Sequence, residues 1–139
     1  MKPHVSAITL GVKDVNRAKE FYKSLGWPIQ QDYQGVWVSF SLNNGSSALG
    51  LRAWDTVAGD AGVPPTGSGF RGITFSYDVR SKERVDAVLA EAKRAGGKIA
   101  KPAEDAAWGG YSGYFTDPDG YLWKVGWAPN TGEQPSAAE

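Results

Sequence analysis

The chain has 139 residues, of which 41% are hydrophobic and 22% charged, and its 15 Lys and Arg balance 15 Asp and Glu. That size and composition suit a globular domain with a real core, and a formal net charge of zero argues against nonspecific nucleic-acid binding, which needs a basic surface. No run approaches the roughly 20 apolar residues of a membrane helix, and the lack of cysteine removes disulfides, thiolate catalysis and cysteine-bound zinc.

Residues 5–12 alternate, with Ile8, Leu10 and Val12 on one face and Ala7, Thr9 and Gly11 on the other, the period of a strand. Asp14 suits a helix N-cap, Ala18, Phe21, Tyr22 and Leu25 follow at helical spacing, and Gly26 stands where a left-handed residue would stop the helix. A weak strand is expected over residues 29–33 and a stronger one over 36–42. In the latter Val36, Val38, Phe40 and Leu42 oppose Trp37, Ser39 and Ser41. Asn43-Asn44-Gly45 is a hairpin signal, because Asn and Gly tolerate positive φ, and residues 48–54 complete a βαβββ unit. Residues 55–69, rich in Gly, Pro, Ala and Thr, show no period and read as a linker or mobile flap.

The scheme then repeats. Ile73, Phe75 and Tyr77 alternate with Gly72, Thr74 and Ser76. Ser81 can cap a helix striped by Val85, Val88, Leu89 and Ala92, which ends at Gly96-Gly97. A short strand is expected over 98–100, a loop carrying Trp108 over 101–110, and strands over 111–116 and 121–127. Between the last two, Asp117-Pro118-Asp119-Gly120 suits a type I turn. Residues 129–139 are polar and small, and read as a disordered tail. Two such units imply duplicated half-domains that share a core with a cleft between them.

The doubled βαβββ pattern, Val12-Lys13-Asp14 followed by Ala18 and Phe21-Tyr22, and Tyr114-Phe115-Thr116-Asp117-Pro118-Asp119-Gly120 before the final strand resemble the glyoxalase / bleomycin-resistance / extradiol dioxygenase superfamily, the vicinal oxygen chelate fold. The resemblance spans residues 4–128. It implies an α+β fold of two βαβββ modules, 4–54 and 70–128, joined by a linker at 55–69, with curved mixed sheets around a cleft and helices on the convex faces. Enzymes of that family hold a divalent metal with His, Gln or Glu side chains at four strand positions. The resemblance carries those positions onto Ala7, Gly50 (or Leu51 with a one-residue slip), Gly72 and Lys124, none of them a metal ligand. The only histidine is His4, so a 2-His-1-carboxylate iron site cannot be assembled within one chain. The expectation is therefore a member of the superfamily without its metal or any other cofactor.

If the Ile-, Leu-, Val- and Phe-rich faces lie under the helices, the alternate residues line the cleft. Small Ala7, Thr9, Gly11, Gly72, Thr74 and Ser76 then leave room. Trp37, Ser39, Arg52, Trp54, Ser112, Tyr114 and Lys124 supply aromatic faces, hydroxyls and two cations, while Trp108 and Tyr111 lean over the rim. These nine are the candidate ligand-binding residues. Trp123 and Trp127, of opposite parity, are expected in the core. The function that follows is a noncatalytic, cytoplasmic binding protein of the bleomycin-resistance type. It would sequester an aromatic compound or antibiotic as a homodimer, without nucleic-acid or membrane partners. The alternative is a glyoxalase- or dioxygenase-like enzyme, either metal-independent through Lys124 or Tyr114 or using unusual metal ligands.

Overall fold

A computed structural model describes residues 1–129 and 137–139. The chain divides into two compact units, Met1–Gly67 and Ser68–Glu139, each built on one four-stranded mixed sheet. No helix among the described residues is long and apolar enough to cross a membrane.

In the first unit β1 (Ala7–Val12) leads to α1 (Val15–Ser24), then β2 (Ile29–Asp32), β3 (Trp37–Leu42) and β4 (Ser47–Ala53), in the sheet order β1-β4-β3-β2. Asp14 caps α1 by accepting a hydrogen bond from the Arg17 N–H at 3.1 Å, which satisfies one of the donors that a helix start leaves unpaired. Gly26, at φ 89°, ends it by donating to the Lys23 carbonyl at 2.9 Å. The apolar parity of the strands then closes on the helix: Leu10, Val12, Val38, Phe40, Leu49 and Leu51 are buried together with Val15, Ala18, Phe21 and Tyr22. Tyr22, Trp27 and Phe40 meet at ring-centroid separations of 5.3 to 6.3 Å, where aromatic contact adds to the area removed from water.

The second unit repeats the arrangement with β5 (Thr74–Asp78), α3 (Lys82–Arg94), β6 (Lys98–Asp105), β7 (Tyr111–Thr116) and β8 (Leu122–Trp127), in the order β5-β8-β7-β6. Ser81 caps α3 through the Arg84 N–H at 3.1 Å. Phe115 stacks on Trp123 with planes 2° apart, Phe75 lies 4.9 Å from Trp123, and Val85, Leu89 and Ala92 of α3 are buried above them. The turn at residues 117–120 closes with the Gly120 N–H on the Asp117 carbonyl. The buried Asp117 carboxylate accepts from the Asp119 and Tyr121 N–H groups at 2.9 Å each. Each unit thus carries one βαβββ module of the expected α+β fold.

Three expectations change. The stretch 55–69 is not all linker: α2 (Trp54–Ala61) occupies its first half and ends on Gly62 at φ 69°. Trp54, Val57 and Ala58 do recur on it at helical spacing, but none is fully buried and so short a stripe does not stand out against the Gly, Pro, Ala and Thr around it. It also departs from the convex-face rule, since a Cβ placed at Gly11 would lie 3.2 Å from the Trp54 Cα, on the face that α1 leaves open. Second, β6 runs to Asp105 and takes in much of the expected loop 101–110, despite Pro102. It is an edge strand with register shifts at Ile99/Lys101 and Lys101/Glu104, a setting where a missing N–H is tolerated. Third, most of the expected disordered tail lies outside the described residues, but residues 137–139 rest against β5 with Ala137 buried.

Two glycine substitutions should separate packing from propensity in urea unfolding. A Cβ at Gly113 would sit 2.7 Å from Leu89 Cδ1 and 2.9 Å from the Ala103 nitrogen, so Gly113→Ala should cost about 1–3 kcal/mol. Gly59, inside α2 with nothing within 4 Å, should gain about 0.5–1 kcal/mol on Gly59→Ala, and an equal response at the two positions would contradict this packing.

Candidate functional site

Pairing in the first sheet aligns Gly11, Arg52 and Trp37 in one cross-strand row and Thr9, Gly50 and Ser39 in the next. All six carry the parity opposite to the core. Thr9, Trp37 and Arg52 line a depression of about 430 Å³. Its floor is low because Gly50 has no side chain: a Cβ there would lie 3.4 Å from Thr9 Oγ1 and 3.6 Å from Trp37 Nε1, so the indole leans across the glycine. Ser39 is only 2% exposed and donates to Gln30 Oε1 at 3.2 Å, so it serves the floor and offers no free hydroxyl.

Two neighbours of this depression escaped the sequence reading. Tyr33 stacks on Trp37 at 5.4 Å and 29°, extending the aromatic ledge. The reversal between β2 and β3, closed by Tyr33 N–H to the Trp37 carbonyl at 2.8 Å, brings the rings together; its trace in the sequence is the Gly35 between two aromatic residues. Asp60 of α2 accepts a 2.8 Å bond from Arg52 Nη1. The two side chains are 36% and 60% exposed, so the pair is worth no more than about 1 kcal/mol and can open. Trp54 is the first residue of α2 rather than a strand end, and its Nε1 donates to the Pro65 carbonyl at 2.7 Å, which fixes the flank of the site.

In the second sheet the corresponding rows are Ser76, Lys124, Tyr114 and Lys101, with Asp78, Gly126, Ser112 and Glu104 beside them. Lys124 is half-buried and forms no ion pair among the described residues; its Cε lies 3.8 Å from where a Gly126 Cβ would stand. Lys101 pairs with Glu104 at 2.7 Å, and the hydrogen bond to that carboxylate raises the pKa of the ammonium. Trp108 is 69% exposed and its ring occupies the space a side chain at Gly110 would take.

Tyr111 departs from this open-face set. It shares parity with Gly113 and Phe115, donates its hydroxyl to Asp86 of α3 at 2.7 Å, and has the Lys82 ammonium 5.5 Å from its ring centroid. The bond to Asp86 is the main reason its pKa is raised, with burial second. Trp127 stands on the same helix-covered face under Lys82.

The positions that hold metal in related enzymes can be checked against the two registers. Ala7 stands seven residues before the cap Asp14; counted the same way from the cap Ser81, the matching position is Thr74, the first residue of β5, and not Gly72. Gly72 lies ahead of the strand at φ 81° and belongs to the approach loop. Gly50 pairs with Thr9 and Ser39 as Lys124 pairs with Ser76 and Tyr114, so these two are true equivalents. A methyl, a hydrogen, a neutral hydroxyl and an ammonium form no divalent-metal donor set. Among the described residues no three His, Cys, Asp or Glu side chains converge.

Known structures share this architecture. A glyoxalase-related enzyme from Fulvimarina pelagi is similar over 92% of this chain and 90% of its own, at 27% identity and a TM-score of 0.80. A hypothetical protein from S. aureus (22% identity, TM-score 0.77, 92% and 95% covered) and a lactoylglutathione lyase from Agrobacterium tumefaciens (21%, 0.67, 92% and 96%) share the fold. Among curated proteins none matches significantly. Residues 4–125 match the family profile, and the chain belongs to the Glyoxalase/Bleomycin resistance protein/Dioxygenase superfamily.

Proposed function

We propose that the protein binds a small aromatic compound without transforming it, in the manner of drug-sequestering members of its superfamily, and that the open face of the first sheet takes the ring. The observation that carries this reading is the replacement of a metal-ligand position by Gly50, which turns the floor between Thr9, Trp37 and Arg52 into a depression with an aromatic wall. A flat ring there would stack against the Trp37 ledge, continued by Tyr33, and Arg52 would receive an acidic substituent or stack on the ring itself. In the second sheet Tyr114, Ser112 and Lys124 offer the same chemistry with a cation that forms no ion pair among the described residues, and Trp108 an exposed ring.

The reading includes a homodimer. β2 is a sheet edge with all four residues exposed, followed by exposed Tyr33 and Val36, and such edges favour a covering partner. Light scattering should return twice the chain mass.

A thermal-shift screen of aromatic acids and aromatic antibiotics should find compounds that raise the melting point, since ligands that prefer the folded state stabilise it. For such a compound Trp37→Ala should weaken binding by about 1–3 kcal/mol, read by isothermal titration calorimetry. Undiminished affinity would remove the site from the first sheet, and loss of binding on adding a chelator would reinstate a metal.

Charge should separate ligand classes. For a carboxylate-bearing compound Arg52→Ala should reduce affinity, whereas Asp60→Asn should raise it by about threefold to fivefold by removing the resident competitor for the guanidinium. A neutral analogue should not respond to Asp60→Asn.

A further inference from the structure

β5 is an edge strand: one side pairs with β8, continued by the Val79 N–H on the Gly126 carbonyl at 2.9 Å, and residues 137–139 lie along the other. The Ala138 N–H donates to the Asp78 carbonyl at 2.8 Å, and the Arg80 N–H donates to the Glu139 carbonyl. Arg80 Nη2 adds a 3.3 Å bond to the Ala137 carbonyl. Ala137 is 7% exposed, so a methyl occupies this buried position. The Glu139 carboxylate is held at both oxygens: the Tyr77 hydroxyl donates to Oε2 at 2.6 Å, and Arg84 Nη2 pairs with Oε1. Main-chain pairing, a small apolar seat and a doubly bonded acid are the three components by which a sheet edge recognises an extended peptide.

We propose that Tyr77 of β5, Arg80 just beyond it and Arg84 of α3 form, along the outer edge of β5, a docking site for a short acidic peptide of the pattern small-small-Glu, with the chain's own residues 137–139 as its resident occupant. The pattern is set by the seat: a methyl occupies the buried position of Ala137, and Gln in place of Glu139 loses the charge that faces Arg84. Because the occupant belongs to the same chain, it competes at an effective concentration in the roughly millimolar range and masks the site from the same sequence offered in trans.

The test uses the full chain labelled with nitrogen-15 and a blocked synthetic peptide, acetyl-Ser-Ala-Ala-Glu-amide, added at roughly millimolar concentrations. In the Glu139→Lys chain, whose own segment no longer fits, the peptide should produce saturable shifts of the amides at residues 78–84. The unsubstituted chain should require about fivefold more peptide, and acetyl-Ser-Ala-Ala-Gln-amide should bind Glu139→Lys about fivefold more weakly than the Glu peptide. Adding Arg84→Glu, or Tyr77→Phe as the milder change, to the Glu139→Lys chain should weaken the Glu peptide. Absence of saturable shifts in the Glu139→Lys chain overturns the proposal, as does equal binding of the Glu and Gln peptides or indifference to both substitutions.

Discussion

Phe40 lies against Tyr22 and Trp27 at 6.0 and 6.3 Å, and that contact decides where the side chains of β3 point. Successive residues of a strand face opposite sides, so with Phe40 and Val38 turned under α1, Trp37 must face away. The register carries the decision sideways: Trp37 sits opposite Arg52 and Ser39 opposite Gly50, and these stand opposite Gly11 and Thr9. The open face of the first sheet is therefore a consequence of its core. A slip of one residue would exchange the two faces, burying Arg52 and exposing Leu51. In the second sheet the stacked pair of Phe115 and Trp123 sets Tyr114, Lys124 and Ser76 outward by the same rule.

What could be read from the sequence follows from how local each signal is. Both helix caps, the Gly26 stop and the Asp117 turn are decided within five residues, and the structure places each where the chemistry puts it. The core parity of β1, β3, β4, β7 and β8 was legible for the same reason. Features that depend on distant partners were not. α2 carries only the short stripe of Trp54, Val57 and Ala58, half-buried, and bonds from Arg52 and from Trp54 to groups several residues away add to it. Tyr33 joins the ledge only through the reversal that folds β2 onto β3. Tyr111 was assigned to the rim from its place at a strand end, but parity already set it with Phe115, and Asp86 on α3 captures its hydroxyl. The extension of β6 past Pro102 needed knowledge that the strand lies at an edge.

The two modules hold equivalent backbone positions with unlike side chains. Thr9 stands five residues before one helix cap and Ser76 five before the other; across from them stand Gly50 and Lys124. At one position the sheet has an empty floor, at the other a four-carbon stem with a charge at its tip. A divalent cation needs electron-pair donors, which neither a glycine nor an ammonium supplies. Glycine leaves open the space beside the Trp37 indole, while the half-buried lysine lays its stem along the sheet past Gly126. Arg52 differs from Lys124 in having a resident partner, Asp60, whereas Lys124 forms no ion pair among the described residues. The equivalent strands β4 and β8 thus present a paired cation in one sheet and, among the described residues, an unpaired one in the other.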